Sequence, residues 1–288
     1  RSDLTNADSQ YGNVGIHSLT SGGFSVGSGS AVNSNNETYV AWAWDAGSST
    51  VSNTDGTITS QVRANPSAGF SIVSWTASTQ STATIGHGLG KQPELIIAKT
   101  RDGSGNWYVF HPTLDTGGTI SKALYLNSDV GKQTVSGVWG HWDEMTSTTF
   151  GITDAAGSGT NDGDMIAYCF TSVDQFSSFG NFIGNGNANG PFVYTGFRPR
   201  FLLLKNADIS SGGWVMFDTE RDTYNVMDAR LFANTSDQEG NSSSNPNIVD
   251  ALSNGFKVRY SGQNFNGSGN SIIYAAFAEN PFKYARAV

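Results

Sequence analysis

The sequence predicts an all-β fold of tandem β-sandwich units, jelly-roll or concanavalin-like in type, each of about 106 residues. Short runs such as FSIVSW (70–75) and MIAYCF (165–170) are rich in β-branched and aromatic residues and are separated by Gly, Asn, Asp and Ser. Charged residues make up only 14% of the chain, which argues against a charge-rich helical bundle. Hydrophobic residues, at 37%, are sufficient for a packed core and argue against disorder.

An internal repeat divides the chain into units. Residues 70–99 align without a gap on residues 176–205, and the alignment pairs Pro93 with Pro199. Self-similarity of this kind is typical of tandem domains. Within the repeat, ELIIAK and its counterpart FLLLK are continuously apolar, which predicts central strands buried on both faces.

The repeat also predicts the domain boundaries. Residues 1–48 are expected to be the C-terminal part of a truncated β-sandwich unit, because TYVAWAWD (38–45) corresponds to the closing strand of the other units. Residues 49–65 are expected to be a linker. Two complete β-sandwich units follow, at 66–174 and 175–288.

The charge balance and the apolar pattern exclude several classes of partner. A formal net charge of −8 would repel polyphosphates, so nucleic-acid binding is not expected. The longest apolar run, at 272–278, is far shorter than the ~20 residues that a membrane span needs, so membrane insertion is not expected. A single cysteine, Cys169, rules out an intramolecular disulfide.

The loop IGHGLGKQPEL (85–95) carries closely spaced glycines, a feature that phosphate-binding loops share. A phosphate loop would be followed by a helix, whereas this segment runs directly into a strand. We therefore expect a tight turn formed by the glycines and Pro93. His87 in this loop has no counterpart in the second repeat, which argues against a catalytic role for it.

A calcium site is one interpretation of the loop DAAGSGTNDGD (154–164). Its candidate ligands are Asp154, Asp162 and Asp164, which offer carboxylate oxygens in a glycine-rich loop. Asx and glycine hairpin turns would have the same composition, so both interpretations stay open. Apart from this calcium ion, no cofactor is expected.

A second candidate site lies in GVWGHWDEM (137–145), which has no counterpart in the second repeat. Trp139 and Trp142 could stack on the C–H faces of a sugar, and Asp143 and Glu144 could accept hydrogen bonds from its hydroxyls. The alternative is that both tryptophans cover an edge of the sandwich. Asp143 and Glu144 are adjacent and would face opposite sides of a strand, so we do not expect them to act as a glycosidase pair.

Several segments resemble repeated-domain, virion-associated proteins of marine tailed bacteriophages. They are QVRANPSAGFSIVSW (61–75), NGPFVYTGFRPRFLLLK (189–205) and AAFAENPFKYARAV (275–288). Members of that group are often described as tail-fibre or concanavalin-like proteins. The resemblance implies a protein of the virion, the extracellular particle, and supplies no catalytic motif.

Three functions follow from these observations. The first is a non-enzymatic tail-fibre or appendage protein that contacts a host surface glycan or receptor and assembles with other virion proteins and with itself, a trimer being usual for tail fibres. The second is a capsid-decorating or appendage-building protein without a ligand. The third is a polysaccharide depolymerase, which only analogy with concanavalin-like folds supports.

Overall fold

The computed structural model describes residues 1–9, 12–77, 82–114, 122–135, 145–153, 163–240 and 248–280. These residues form an all-β structure, as the sequence predicts. The strands, in chain order, are β1 (Ile16–Thr20), β2 (Gly23–Val26), β3 (Val51–Asn53), β4 (Ser60–Asn65), β5 (Phe70–Thr76), β6 (Thr82–Gly86), β7 (Leu95–Thr100), β8 (Tyr108–Phe110), β9 (Lys122–Tyr125), β10 (Gln133–Thr134), β11 (Thr149–Thr153), β12 (Asp164–Phe170), β13 (Ser177–Ile183), β14 (Phe192–Tyr194), β15 (Pro199–Asn206), β16 (Val215–Asp218), β17 (Leu231–Phe232), β18 (Val249–Leu252), β19 (Gly255–Val258) and β20 (Ser271–Ala278).

The helices in these ranges are single turns. Two are α-helical, α1 (Ser30–Asn33) and α2 (Gln263–Asn266), and two are 3₁₀ turns at Gly12–Val14 and Pro112–Leu114. Within the part of the chain that the structure describes, no helix has the length and apolar character needed to cross a membrane.

The strands pair antiparallel in four packed sheets and one separate hairpin. The first large sheet has the order β10-β9-β8-β7-β12-β5-β4-β3, and the second large sheet has the order β13-β20-β15-β16-β17. A first small sheet consists of β11 and β6, and a second small sheet of β14, β19 and β18. Strands β1 and β2 form the hairpin.

Each large sheet packs on one small sheet through a cluster of buried side chains. Val73 and Phe150 belong to the cluster between the first large and first small sheets. Leu202 and Phe256 belong to the cluster between the second large and second small sheets. Each half of the molecule therefore has the two layers of a sandwich around its own core.

A third cluster joins the two large sheets face to face. Leu124 and Phe170 contribute from the first large sheet, and Phe201 and Ile273 from the second. The four sheets are therefore stacked in layers, and both large sheets lie in the interior. This arrangement buries far more apolar surface than either sandwich could alone.

Strand β15 explains the continuous apolar pattern of the central strands. Leu202 and Leu204 point into the core shared with the second small sheet. The residues that alternate with them, Phe201 and Leu203, point into the core shared with the first large sheet. The prediction that these strands are buried on both faces is confirmed, and the partner on the second face is the other large sheet.

The segment predicted as a linker, 49–65, instead contains β3 and β4 at one edge of the first large sheet. Strand β4 pairs with β5, so that Val62 lies opposite Val73. Val62 is 1% exposed and packs in the core, whereas its neighbours Gln61 and Arg63 point outward. A single buried valine among polar residues is a weak signal of strand alternation in the sequence. The strand forms because it pairs with β5 and packs Val62 in the core.

Residues 1–48 contain one hairpin and α1, and no sheet pairing is described for TYVAWAWD (38–45). Residues 1–8 instead run along the two halves. The Asp8 amide donates to the carbonyl of Arg101, and Ser2 Oγ donates to the carbonyl of Ala233 in the second half. The N-terminal segment therefore binds the first half through its backbone and the second half through the Ser2 side chain.

The glycine-rich loop 85–95 joins β6 to β7, and the structure describes no hydrogen-bonded turn within it, so the predicted tight turn is not confirmed. Gly88 and Gly90 both have φ near +70°, a conformation that a side chain at Cβ disfavours. The loop leads directly into β7, and no helix follows it.

Candidate functional site

The predicted glycan-binding residues Trp139, Trp142, Asp143 and Glu144 lie outside the described residues. Their role as a sugar-binding loop therefore stays a prediction.

Of the predicted calcium ligands, Asp154 and Asp162 also lie outside the described residues, and only Asp164 can be placed. It begins β12, and its Oδ1 accepts a hydrogen bond of 2.9 Å from Thr76 Oγ1. Its backbone N–H donates to Asp102 Oδ2 at 2.7 Å. Among the residues that the structure describes, no three His, Cys, Asp or Glu side chains are grouped to hold a metal ion.

The structure places a different group of aromatic residues around an open cavity, which we call the aromatic crevice. Its volume is about 390 Å³. One wall is the segment 41–45, and the other is formed by the ends of the strands that carry Phe70, Phe201 and Phe277, with Arg200 at the rim.

Trp44 is the exposed aromatic residue of the crevice. Its ring meets Phe277 edge-on at a centroid distance of 5.6 Å and Phe201 at 5.8 Å. These contacts fix the indole, yet 38% of the residue remains exposed. A held and half-open indole is the kind of surface on which a flat apolar group can stack.

Trp42 forms the deeper part of the same wall. Its ring lies 5.2 Å from that of Phe201, and the Arg221 guanidinium lies 6.0 Å from its centroid. The indole Nε1 is buried and has no hydrogen-bond partner among the described residues. A buried donor without a partner costs free energy, which a ligand or water oxygen could recover.

Charged side chains at the rim of the crevice are paired with one another. Arg200 forms a 2.6 Å ion pair with Glu220 and lies 3.9 Å from Glu279. Asp45 Oδ1 accepts a hydrogen bond from the amide of Gly47 at 2.7 Å. The rim therefore offers hydrogen-bonding groups but no large excess of one charge.

The crevice is assembled by pairing between strands and by packing between residues that are far apart in the sequence. Phe201 on β15 lies directly opposite Phe277 on β20 in the second large sheet. The tryptophans belong to a segment without described sheet pairing, so contacts between side chains, chiefly those with these two rings, position them. In the sequence, the alternation of Trp42 and Trp44 with alanines predicted a strand, and nothing local pointed to Phe201 or Phe277.

A second concavity, of about 320 Å³, lies between the N-terminal segment and the first large sheet. Trp107 donates from Nε1 to the carbonyl of Leu4 and stacks on Tyr168 at 6.5 Å. Arg101 pairs with Asp8 at 3.0 Å, and this hydrogen bond raises the pKa of the arginine. The chain's own N-terminal residues already use these groups, so this concavity is part of the packing.

Two buried lysines occupy equivalent positions of the repeat. Lys99 Nζ donates to the carbonyls of Thr100 and Gly103, and Lys205 Nζ donates to the carbonyl of Asp129 in the other half at 2.9 Å. Burial lowers the pKa of Lys205 to about 8. Since both amino groups point at backbone carbonyls, they anchor loops and are not placed to react with a substrate.

Comparison with known proteins identified a family but no individual relative. A search of the curated proteins found no match to this chain, and neither did a search of the solved structures. One family model, described as "Domain of unknown function (DUF7483)", matches residues 1–281. Because this match covers nearly the whole chain, the protein belongs to the DUF7483 family.

Proposed function

We propose that this protein is a structural component of a bacteriophage virion, part of a tail fibre or similar appendage, and that it contacts a glycan of the host cell surface through the aromatic crevice. The observation that carries the proposal is Trp44, which two phenylalanines hold in place while a large part of its surface stays open.

The chemistry of the crevice suits an uncharged sugar. The C–H faces of a pyranose ring stack on an indole, while hydroxyl groups need donors and acceptors near the rim. Arg200 and Asp45 supply these groups. The net charge of −8 disfavours strongly anionic polysaccharides, because the protein as a whole would repel them.

We also infer that the two halves are tandem β-sandwich units of about 106 residues each. Five strands follow the same order in both large sheets, β9-β8-β7-β12-β5 in the first and β17-β16-β15-β20-β13 in the second. A small sheet packs on each, with β6 and β11 in one half and β14 and β19 in the other. This agreement supports a duplicated unit, to which β3, β4 and β10 add only in the first half.

Trp44→Ala tests the glycan proposal. Removal of the indole should weaken binding to a neutral glycan by at least about tenfold, as expected for an aromatic residue that carries much of the contact. The measurement is binding of the fluorescently labelled full chain to an array of neutral bacterial surface oligosaccharides. Tyr194→Ala is the matched control, because Tyr194 is an exposed aromatic residue on β14 that does not line the crevice.

The same array separates the competing interpretations. Undiminished binding by Trp44→Ala, with loss of binding by a Trp139→Ala/Trp142→Ala variant, would move the site to the loop predicted from the sequence. If the wild-type chain bound no glycan, the protein would instead be a capsid-decorating or appendage-building component. The paired charges at the rim of the crevice are the feature that favours this second function.

A further inference from the structure

Residues 12–39 form a segment that folds only onto itself, which we call the arm. It consists of β1, β2, α1 and the turns between them. No residue of the arm whose exposure is described is buried. Its apolar side chains are open to solvent, with Leu19 84% exposed and Ile16 58% exposed.

The hydrogen bonds described for the arm are internal to it. Beyond the pairing of β1 with β2, the Gly27 amide donates to the carbonyl of Gly15, and that of Gly29 to Val14. Tyr39 closes the base, since its hydroxyl donates to the carbonyl of Ser30 and accepts from the amide of Ser34. None of the hydrogen bonds described for the arm therefore reaches the four stacked sheets.

A hairpin with this exposure is marginal in water. An isolated two-stranded hairpin has little stability unless a further strand or surface covers one face. Its outer edges also leave backbone groups unpaired, which favours pairing with another chain. Phe24 and Val26 on β2 add to the apolar surface that such a contact would cover.

The charge distribution indicates what covers the arm. Residues 12–36 contain no Asp, Glu, Lys or Arg, and Glu37 at the base of the arm is its one charged residue. Two copies of an acidic chain repel each other where charged surfaces meet, but not at an uncharged patch.

We propose that the arm is a homotypic interface, in which the arms of neighbouring copies of this chain pack together through Ile16, Leu19 and Phe24. A symmetric oligomer uses the same patch on each copy, and an uncharged patch meets this need. This inference deepens the proposed function, because multiple copies would add avidity to weak sugar binding. The aromatic crevice is made of different residues, so the two proposals can fail separately.

The test is the mass of the full chain in solution, measured by size-exclusion chromatography with multi-angle light scattering. The wild-type chain should be an oligomer, and Leu19→Ser/Phe24→Ser should be a monomer. Tyr224→Ser is the matched control, because Tyr224 is 85% exposed and lies outside the arm. The circular dichroism spectrum at 20 °C should be the same for monomeric variant and control, since neither substitution removes a side chain that is buried within one copy of the chain.

Either of two results would overturn the proposal. A monomeric wild-type chain at its highest soluble concentration would mean that the arm does not bind itself. An oligomer that persists in Leu19→Ser/Phe24→Ser would place the interface on another surface. A wild-type chain that forms the oligomer but binds no glycan would count against the aromatic crevice and not against the arm.

Discussion

At the scale of the residue, His87 is held neutral by hydrogen bonds that only one tautomer can make. The Leu89 amide donates to Nδ1 at 3.2 Å, so Nδ1 carries no proton and Nε2–H donates to the carbonyl of Thr146 at 3.3 Å. Protonation of Nδ1 would remove the acceptor for Leu89. Burial lowers the pKa of His87 from 6.5 to about 4, and burial lowers that of His111 to about 4 as well.

These pKa values predict a loss of stability in mild acid. The unfolded chain takes up protons near pH 6.5, whereas the folded chain resists them until about pH 4, so falling pH favours unfolding across this window. Between pH 7 and pH 4.5 each histidine should contribute about 2 kcal/mol to the fall in the free energy of unfolding. Urea unfolding at pH 7 and at pH 4.5 measures the difference.

His87→Gln should remove about half of this pH dependence, since His111 would still contribute. His17→Gln is the control, because His17 lies exposed on β1 and should leave the pH dependence unchanged. An equal fall in stability for wild type and His87→Gln would show that the neutral tautomer does not matter.

At the scale of the element, β4 is a strand that lies in the segment predicted from the sequence to be a linker. Its inward residue Val62 packs in the core of the first half, beside the positive-φ residue Gly88. Val62→Ala should lower the free energy of unfolding by about 1–3 kcal/mol, from lost burial and the cavity left behind. Gln61→Ala, on the exposed face, should change it by less than about 0.5 kcal/mol.

Chemical denaturation of the two variants decides between strand and linker. Equal stabilities for Val62→Ala and Gln61→Ala would indicate that residues 60–65 do not belong to the sheet.

At the scale of the whole molecule, the contact between the two large sheets should make unfolding a single cooperative event. Leu124 from the first half packs in the same cluster as Leu203 and Trp214 from the second. The Trp214 indole also donates to the carbonyl of Tyr125 at 2.8 Å across this contact. Neither half can lose its structure without exposing the large apolar face of the other.

Leu124→Ala should therefore lower one shared melting transition. A loss of about 2–5 kcal/mol is expected for a buried leucine, and each kcal/mol corresponds to about 2–4 °C in Tm. Differential scanning calorimetry provides the measurement. Two resolved transitions, of which only the first shifts, would mean that the halves unfold independently.

Features that depend on neighbouring residues could be predicted from the sequence alone. The short apolar runs predicted strands, and the glycine-rich loop was correctly predicted to lead into β7 without a helix. The continuous run in β15 predicted burial on both faces, because a strand covered on both sides has no polar alternation. The repeat at 70–99 and 176–205 predicted which strands would correspond.

Which surfaces pack against each other could be learned only from the three-dimensional structure. Burial on both faces does not specify the covering partner, and the fold supplies the other large sheet. The same holds for Trp42 and Trp44, whose contacts with Phe201 and Phe277 join residues more than 150 positions apart. Contacts of that separation leave no local pattern, because each aromatic residue is compatible with many apolar partners, and only the packed chain selects one.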